Sequence, residues 1–360
     1  MSSIVLDGKT KKELQPAFGL WQRYQPESAP YAFRSNSMAH AYEWQNDTRK
    51  ALAQVIGVRN QEKGPVQSSL IETVDKGDYI REKILLQTGP NMVMPVYILL
   101  PKLAQRPLPV VLAFNGHGYG VKDIVGLWED GEERNTPDGY QKDFAVELCR
   151  AGFAVAAPEI SCFGERQTDF SYLDIAFGQE EPSTCTHSAM LALHLGGSVL
   201  GMRVQDGFRL VDYLETRAEL DTNRLGAMGI SGGGTHTFFS ACLDERIKAC
   251  VVSGYFSTFK DSILAMSHCA CNFVPGLGKF GEMYDLIGLI APRPFLVESG
   301  SHDPIYPRQA VEYSVARAET VYGVFNAQDR IQTDYFEGRH QISGRKVTTF
   351  LKTALEQAGG

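Results

Sequence analysis

One serine lies within a cluster of glycines in the segment GAMGISGGGTHTFFSAC, residues 226–242. Gly229, Ser231 and Gly233 match the G-x-S-x-G pattern, with an apolar run before it and a helix-like run after it. Between a strand and a helix, this pattern is typical of a nucleophile elbow, a turn so sharp that flanking side chains would clash. It predicts a nucleophilic Ser231 with a positive φ. A phosphate-binding glycine loop is the alternative, but the segment lacks a P-loop lysine and the dinucleotide-binding spacing.

A serine hydroxyl is a good nucleophile only when a base removes its proton and a carboxylate orients that base. Downstream of Ser231, Asp303 follows the strand-like run RPFLVESG, and His340 follows the strand-like run IQTDYFEG. Folds that use a nucleophile elbow place the triad in the chain order serine, acid, histidine. The order and the positions after strands predict a triad of Ser231, Asp303 and His340.

Other histidines and acids lie close to these positions. His302 is on the same loop as the predicted acid, and His236 is one turn into the helix after the serine, so both are expected to be pocket or packing residues. Asp329 and Asp334 lie before or within the last strand and are weaker candidates for the acid.

The oxyanion that develops during acyl transfer needs hydrogen-bond donors, and backbone N–H groups commonly supply them. One donor is expected from Gly232, the residue after the nucleophile. The other is expected from the loop NGHGYG, residues 115–120, where we favour the N–H of Tyr119 with Gly118 as the alternative. His117 is expected to stabilise this loop.

The composition excludes several classes of partner. The 360 residues are 43% hydrophobic and carry a formal net charge of −7, whereas nucleic-acid and membrane-surface proteins usually have a basic face. No segment is apolar enough to span a bilayer and the first residues lack a secretion signal, so we expect a cytoplasmic protein. Seven cysteines in such a chain indicate reduced thiols rather than a disulfide framework.

The elements that must position these residues alternate between strand and helix from residue 108 onwards. This alternation predicts an α/β fold, with a mostly parallel sheet covered by helices on both faces. Two strand-like runs, 79–88 and 92–101, flank Gly-Pro-Asn and predict an antiparallel hairpin. Residues 188–217 are interpreted as one long helical stretch.

The chain is expected to divide into two parts of unequal size. Apolar residues at helical spacing over 43–57 predict that residues 1–65 form a helical arm on a catalytic domain of residues 66–360. Two segments of that domain are longer than strand connections require. We expect the insertion 120–141 to line or rim the pocket rather than form core, and the insertion 256–289 to form a partial lid over the serine.

Two further groups of residues could bind a ligand. His268, Cys269 and Cys271 lie together in HCACNFVPG, but a Cys-x-Cys pair with one histidine is not a complete ligand set for zinc, so no metal is expected. Glu165 and Arg166 could bind a polar substrate group or form an ion pair that holds their loop. His236 is retained with them as a candidate pocket residue.

These motifs resemble those of α/β-hydrolases, and over residues 66–360 the chain is similar to the dienelactone hydrolase and acetyl xylan esterase-like group. GHGYG, SCFGER and LIGLIAPRPFLVESGSHDPIYP resemble that group's oxyanion segment, the loop after the next strand and the approach to the acid. The resemblance implies hydrolysis of esters with short acyl groups, often acetyl groups on carbohydrates, without a cofactor. Gly232 and Gln341 replace the glutamine and glutamate of the sugar and cephalosporin deacetylases, so the alcohol is left open.

The expected function is hydrolysis of a small-molecule carboxylic ester through an acyl-enzyme intermediate, by a monomer or a homo-oligomer. A serine peptidase related to prolyl oligopeptidases is one alternative, although a short helical arm could not replace their large N-terminal domain. A non-catalytic binding protein on a hydrolase scaffold is the other. The complete triad argues against it, because a binding protein has no use for a strained serine.

Overall fold

Strands and helices alternate along most of the chain, of which the computed structural model describes residues 8–58, 66–173 and 183–359. No helix in these ranges combines the length and apolarity needed to cross a bilayer. The strands are β1 (Ser68–Asp75), β2 (Tyr79–Gly89), β3 (Met92–Pro101), β4 (Leu108–Phe114), β5 (Ala154–Pro158), β6 (Leu220–Ile230), β7 (Ala249–Ser253), β8 (Phe295–Gly300) and β9 (Ile331–Phe336). The helices are α1 (Gly8–Glu13), α2 (Pro16–Arg23), α3 (Met38–Ile56), α4 (Phe144–Arg150), α5 (Thr184–His194), α6 (Val199–Leu214), α7 (Gly232–Leu243), α8 (Met283–Leu286), α9 (Arg308–Val324) and α10 (Val347–Ala358).

The strands form one sheet in the order β1-β2-β3-β5-β4-β6-β7-β8-β9. β1, β2 and β3 pair antiparallel, and β3 also pairs antiparallel with β5. Every neighbouring pair from β5 to β9 is parallel. Parallel neighbours need crossover connections, and the helices that supply them cover both faces. The predicted α/β fold is therefore confirmed.

The predicted hairpin is also confirmed, because β2 and β3 pair antiparallel from Tyr79 with Pro101 to Gln87 with Val93. The sequence did not indicate β1, which continues the same sheet at its edge. Nearly all residues of β1 are exposed, so no alternation of buried and polar positions marks the strand.

Buried apolar side chains form one cluster on each face of the sheet. Val111 and Val251 join α4 and α10 in one cluster. Leu112 and Val252, the next residues along the same strands, join α3, α6, α7 and α9 in the other. Successive side chains of a strand point to opposite faces, so central strands that are covered on both sides appear as continuous apolar runs.

The long helix predicted over residues 188–217 is wrong, because α5 and α6 are separate helices. Gly196 has a φ of 78° between them. Ser198 then caps α6, since its side chain accepts a hydrogen bond from the Gly201 N–H at 2.9 Å. A left-handed glycine followed by a serine cap ends one helix and begins the next.

The helical arm is an integral part of the core through α3. Leu52 and Ile56 are fully buried and belong to the same apolar cluster as α6 and α7. Gln45, which is also buried, donates two hydrogen bonds of 2.6 Å to backbone carbonyls in the segment after α8. The predicted boundary at residue 65 and the first seven residues of the arm lie outside the described ranges.

The two insertions contribute to the core as well as to the site. The expectation that the insertion 120–141 forms no core is wrong, because four of its apolar side chains are buried under α4 and the sheet: Val121, Ile124, Val125 and Leu127. In the insertion 256–289, Phe256, Phe259 and Ile263 are buried in the cluster on the other face. The burial of these side chains fixes both insertions to the sheet.

Candidate active site

The chain changes direction across the sheet at β4, because β5 lies on one side of β4 and β6 on the other. In α/β sheets, ligands bind beyond the carboxyl ends of the strands at such a switch point. Here residues 115–120 follow β4 and Ser231 follows β6. The predicted oxyanion loop and the predicted nucleophile therefore extend from neighbouring parallel strands.

Ser231 lies in a strained turn, with φ 56° and ψ −120°. A side chain at Gly229 would overlap the carbonyl of Gly233, and one at Gly233 would overlap the carbonyls of Phe114 and Asn115. Both flanking positions therefore require glycine, and the predicted positive φ of Ser231 is confirmed. A non-glycine residue in this conformation costs about 1–3 kcal/mol, which the surrounding structure must offset.

The helix that follows the turn directs its N-terminus at the site. α7 begins at Gly232, and the Thr235 N–H donates to the Ser231 carbonyl at 2.9 Å. The N–H groups of a first helical turn have no acceptor within the helix and carry a partial positive charge. The Gly232 N–H can therefore donate to a negative oxygen beside Ser231.

Asp303 and His340 are in contact although they follow different strands. His340 Nδ1 lies 2.7 Å from Asp303 Oδ2. The other carboxylate oxygen, Oδ1, accepts hydrogen bonds from the backbone N–H groups of Ile305 (2.8 Å) and Tyr306 (3.1 Å). Only 1% of the Asp303 side chain is exposed. A buried carboxylate with three hydrogen bonds holds the imidazole in one orientation and leaves its Nε2 free to accept a proton.

The imidazole of His340 is packed between two tyrosines. The rings of Tyr140 and Tyr306 stack on it, with centroid distances of 5.5 and 5.8 Å. Its Nε2 is buried and has no hydrogen-bond partner among the described residues. The ring thus has a fixed position, with Nδ1 on Asp303 and Nε2 unpaired.

Tyr140 also connects this histidine to the serine. A side chain built at Gly116 would overlap the Tyr140 hydroxyl and would lie 3.2 Å from Ser231 Cβ. On the adjacent strand end, a side chain at Gly254 would lie 2.9 Å from the imidazole of His340. The backbone at Gly116 and Gly254 therefore comes close to the serine and the histidine, and the structure brings the three predicted triad residues to one place.

The oxyanion loop is held by polar side chains of the insertion 120–141. The Gly116 N–H donates to Gln141 Oε1 at 2.6 Å, and Gln141 Nε2 donates to Asp123 Oδ2 at 2.6 Å. The Tyr140 hydroxyl donates to the His117 carbonyl at 2.5 Å. Tyr140 and Gln141 were not identified from the sequence, because nothing in their spacing distinguishes them from other polar loop residues.

The loop offers N–H groups for an oxyanion, including those of both predicted candidates. Among the described residues, the N–H groups of Gly118 and Tyr119 have no acceptor. The Tyr119 hydroxyl donates to the Leu127 carbonyl at 3.2 Å and accepts from Arg134, so this side chain is directed into the insertion. Tyr119 and Gly118 therefore both remain candidates for the second N–H donor, in addition to Gly232.

A buried acid that the sequence analysis did not select, Glu159, supports this loop from β5. It is fully buried, and its carboxylate accepts hydrogen bonds from the N–H groups of Val121 (3.0 Å) and Glu165 (3.3 Å). Burial raises the pKa of Glu159 to about 8 although both N–H groups lower it. Glu159 directly follows a strand, so the rule that chemistry lies at strand carboxyl ends could have found it.

The residues proposed for substrate binding have structural partners instead. His236 is 1% exposed and stacks on Phe114 with a centroid distance of 3.8 Å, so its assignment to the pocket is corrected to the core. Burial lowers the pKa of His236 well below its usual value. Glu165 pairs with Lys83 at 2.7 Å, and Arg166 pairs with Asp206 at 2.6 Å. Both residues therefore form ion pairs that hold their loop, which was the alternative to substrate binding.

The competing histidine and acids also lie apart from the serine. His302 is mostly exposed and pairs with Glu337 at 2.5 Å. Asp334 is buried in β9, where it accepts from Ser343 at 2.5 Å and pairs with Arg345. Asp329 lies in the short helical turn before β9, so neither acid contacts His340 among the described residues.

The structure also brings thiols from separate segments to the back of the oxyanion loop. The ligating atoms of His117, Cys185, Cys269 and Cys271 all lie within 4.8 Å of one another. The sequence placed only the two insertion cysteines together, with His268 as their partner. His268 instead lies 3.1 Å from Asn272 Nδ2 and is not one of the four.

Comparisons with known proteins agree with this architecture. YtaP of Bacillus subtilis (strain 168), provisionally named a hydrolase, is 28% identical over 293 residues, which cover 79% of this chain and 89% of YtaP. A Bacteroides fragilis structure, provisionally named an acetyl xylan esterase, has a TM-score of 0.73 at 16% identity and covers 90% of this chain and 82% of its own. A glucuronoyl esterase from Solibacter usitatus has a TM-score of 0.64 at 15% identity, and the alignment covers 92% of this chain and 97% of that esterase.

The structural neighbours share the fold, and the family is shown by a separate match. The model of the abhydrolase family matches residues 17–334, which include α3, strands β1 to β8, most of β9, and the segments that carry Ser231 and Asp303. The match agrees with the resemblance to α/β-hydrolases in the motifs around both residues. This chain therefore belongs to the abhydrolase family.

Proposed function

We propose that the protein hydrolyses carboxylic esters with short acyl groups, with Ser231 as the nucleophile. The observation that carries the proposal is the contact of the buried Asp303 with the partly buried His340 beside the elbow, with an unpaired Nε2. An unpaired nitrogen on an oriented imidazole is the group that a serine nucleophile requires as its base. The strained backbone of Ser231 agrees with a functional role.

In the first half of the reaction, His340 Nε2 takes the proton of the Ser231 hydroxyl as Oγ attacks the carbonyl carbon. Asp303 stabilises the imidazolium that forms, through the 2.7 Å contact with Nδ1. The tetrahedral intermediate then expels the alcohol oxygen, which receives the proton from Nε2. The acyl group remains on Ser231 as an ester.

In the second half, a water molecule replaces the alcohol. His340 Nε2 takes a proton from water as the water oxygen attacks the acyl carbon. The new intermediate expels Ser231 Oγ, which recovers its proton from Nε2 and releases the carboxylic acid. One water molecule is consumed for each ester cleaved.

Electrostatic stabilisation of both intermediates is assigned to backbone donors. Gly232 provides the N–H at the start of α7, and Tyr119 provides the second N–H, with Gly118 as the alternative. Loss of one such donor typically costs about 3–4 kcal/mol in the transition state. Glu159 and Gln141 are positioning residues, because they hold the loop that presents the second donor.

The preference for short acyl groups is supported by the packing of the insertion 256–289. Its apolar side chains Phe256, Phe259 and Ile263 are buried in the core rather than arranged as a movable lid. A lipase would need an apolar channel, in which each buried methylene adds about 0.8 kcal/mol. The names of structural neighbours, which include acetyl xylan and glucuronoyl esterases, also favour esters of polar alcohols.

A rate panel tests this proposal. We expect kcat/KM for 4-nitrophenyl esters to be highest between acetate and butyrate and to fall toward octanoate, with activity also on acetylated sugars. The Ser231→Ala variant serves as the control for hydrolysis by other groups. An optimum at octanoate would contradict the short-acyl assignment, and inert esters with rapid cleavage of a dipeptide amide would identify a peptidase instead.

A further inference from the structure

Four potential metal ligands converge from three separate parts of the chain. His117 is in the loop after β4, Cys185 is in the first turn of α5, and Cys269 and Cys271 are in the insertion 256–289. None of these four side chains has a role in the proposed reaction. The three parts are far apart in the sequence, so their convergence calls for a chemical reason.

The donor set fits one class of ion. Three cysteine sulfurs and one imidazole nitrogen form a Cys₃His set, which is typical of structural zinc. In a tetrahedral zinc site neighbouring ligand atoms lie about 3.5–3.8 Å apart, because Zn–S and Zn–N distances are about 2.3 and 2.0 Å. Here all four ligand atoms lie within 4.8 Å, and the Sγ atoms of Cys269 and Cys271 are 3.1 Å apart.

The imidazole of His117 is suited to metal coordination. Its Nε2 is buried and has no hydrogen-bond partner among the described residues. The ring also packs against Phe163, with a centroid distance of 4.5 Å, which fixes its orientation. A buried ring nitrogen beside thiol sulfurs can bind an ion together with them.

A buried arginine supplies a second and independent observation. Arg203 is 1% exposed, and its guanidinium donates to the Ser161 carbonyl at 3.0 and 3.3 Å and lies 4.7 Å from the Phe163 ring. No carboxylate forms an ion pair with it among the described residues. A buried cation needs a negative charge nearby.

The thiol cluster can supply that negative charge, because Phe163 packs against both Arg203 and His117. Three thiolates and one Zn²⁺ carry a net charge of −1, which a single guanidinium balances. With an ion bound, the cation and the ligand set together would be neutral.

We propose that His117, Cys185, Cys269 and Cys271 bind one zinc ion. With four protein ligands the coordination is closed, which is typical of a structural site rather than a catalytic one. The ion ties the oxyanion loop to α5 and to the insertion 256–289. A side chain at Gly232 would lie 3.2 Å from His117 Nδ1, so the ion supports the backbone directly behind the nucleophile.

A disulfide is the competing use of these thiols. All seven cysteines are free in the structure, including the two that are 3.1 Å apart. A disulfide within Cys-x-Cys would remove two ligands and leave Arg203 without its counter-charge. The two uses are distinguished by metal content and by the number of free thiols.

The test begins with metal analysis of the purified chain, grown with zinc and handled without chelators. We expect one zinc per chain, released by a thiol-modifying reagent together with the appearance of free zinc. The apo protein should bind Co²⁺ with the visible bands and the sulfur charge-transfer band of tetrahedral thiolate coordination. The Ser231→Ala variant should keep its zinc, which separates this inference from the proposed reaction.

Cysteine variants locate the ion. Cys269→Ala and Cys271→Ala should lose the zinc and the thiolate bands of cobalt, whereas Cys149→Ala should keep both. Cys149 is a matched control because it is also buried but lies in the cluster on the opposite face of the sheet. Circular dichroism shows whether each variant is folded, and the wild-type metal and cobalt measurements stand even if one variant is not.

Several outcomes would overturn the proposal. A metal-free wild-type chain whose apo form gives no thiolate bands with cobalt would do so. So would zinc retained by both cluster variants, a Cys269–Cys271 disulfide in the chain as purified, or a different metal on the same four residues.

Discussion

The two sides of the nucleophile elbow are built by different means. On one side, Asp303 and His340 follow β8 and β9, consecutive neighbours in the sheet. On the other side, His117, Cys185 and the two insertion cysteines come from a loop, a helix and an irregular segment. The triad side depends on strand order, and the thiol side depends on how insertions fold over the sheet.

The two sides should respond differently to amino-acid substitutions. His340 is held by one carboxylate and two tyrosine rings, so its orientation depends on a few contacts at strand ends. The thiol cluster is assembled from segments with no shared hydrogen-bond ladder. We therefore expect changes on the triad side to lower activity with little loss of stability, and changes on the thiol side to lower stability first.

Ser231→Ala should have the largest effect, because it removes the nucleophile. Loss of a triad serine typically lowers kcat by about 10⁴–10⁶. We expect this loss in ester hydrolysis, with an unchanged thermal midpoint or a slightly higher one because alanine removes no packing. Retention of a tenth of the wild-type rate would mean that another residue is the nucleophile.

Asp303→Asn should follow, with a loss of about 10⁴ in kcat, since an amide no longer holds His340 in the productive tautomer. Asp334→Asn is the matched control, because Asp334 is a buried acid on the neighbouring strand that pairs with Arg345 instead. The control should stay within severalfold of the wild-type rate. Equal losses in the two variants would remove the distinction between the acids.

Cys271→Ala should have a smaller effect, and on stability rather than chemistry. Without its metal link the insertion loses its tie to the oxyanion loop, and we expect the thermal midpoint to fall by about 5 °C or more relative to Cys149→Ala. A strong chelator should lower the midpoint of the wild type and of Cys149→Ala but not that of Cys271→Ala. A chelator effect of equal size on all three would argue against the cluster.

Glu159→Gln should have the smallest effect on activity, and its effect on stability should appear as a change in pH dependence. The pKa of Glu159 is raised to about 8 by burial, so the folded chain binds a proton there that the unfolded chain releases near pH 4.5. The contribution of this group to stability is therefore present below about pH 4.5 and is lost as the pH rises to about 8.

Denaturant unfolding at a series of pH values measures that effect. Relative to Glu159→Gln, the wild type should lose at most about 1.4 kcal/mol of unfolding free energy per pH unit across this window. A difference that does not vary with pH would mean that Glu159 titrates normally. An increase with pH would mean that its charged form is the stabilised one.

The contact between Asp303 and His340 could be anticipated from the sequence for a physical reason. Parallel strands end at the same edge, so residues that follow successive strands are brought together by the sheet itself. The glycines around Ser231 also report a backbone requirement directly, which the close carbonyls of Phe114 and Asn115 explain. Glu159 obeys the same rule, because it directly follows β5.

The thiol side and the loop anchors could not be predicted in the same way. Cys185 lies far along the chain from Cys269, and no periodic pattern links an α5 cysteine to an irregular insertion. Tyr140 and Gln141 act through single contacts whose geometry depends on the folded insertion. The break between α5 and α6 was missed because apolar periodicity continues across the two glycines.

The most direct test of the central claim is active-site labelling with a fluorophosphonate, followed by mass spectrometry of the peptides. The reagent phosphonylates a serine only when an oriented base activates it. We predict labelling of Ser231 alone in the wild type, and none in Ser231→Ala or His340→Gln, with both variants folded. Labelling of another residue, or equal labelling of His340→Gln, would contradict the assignment of Ser231 as a nucleophile activated by His340.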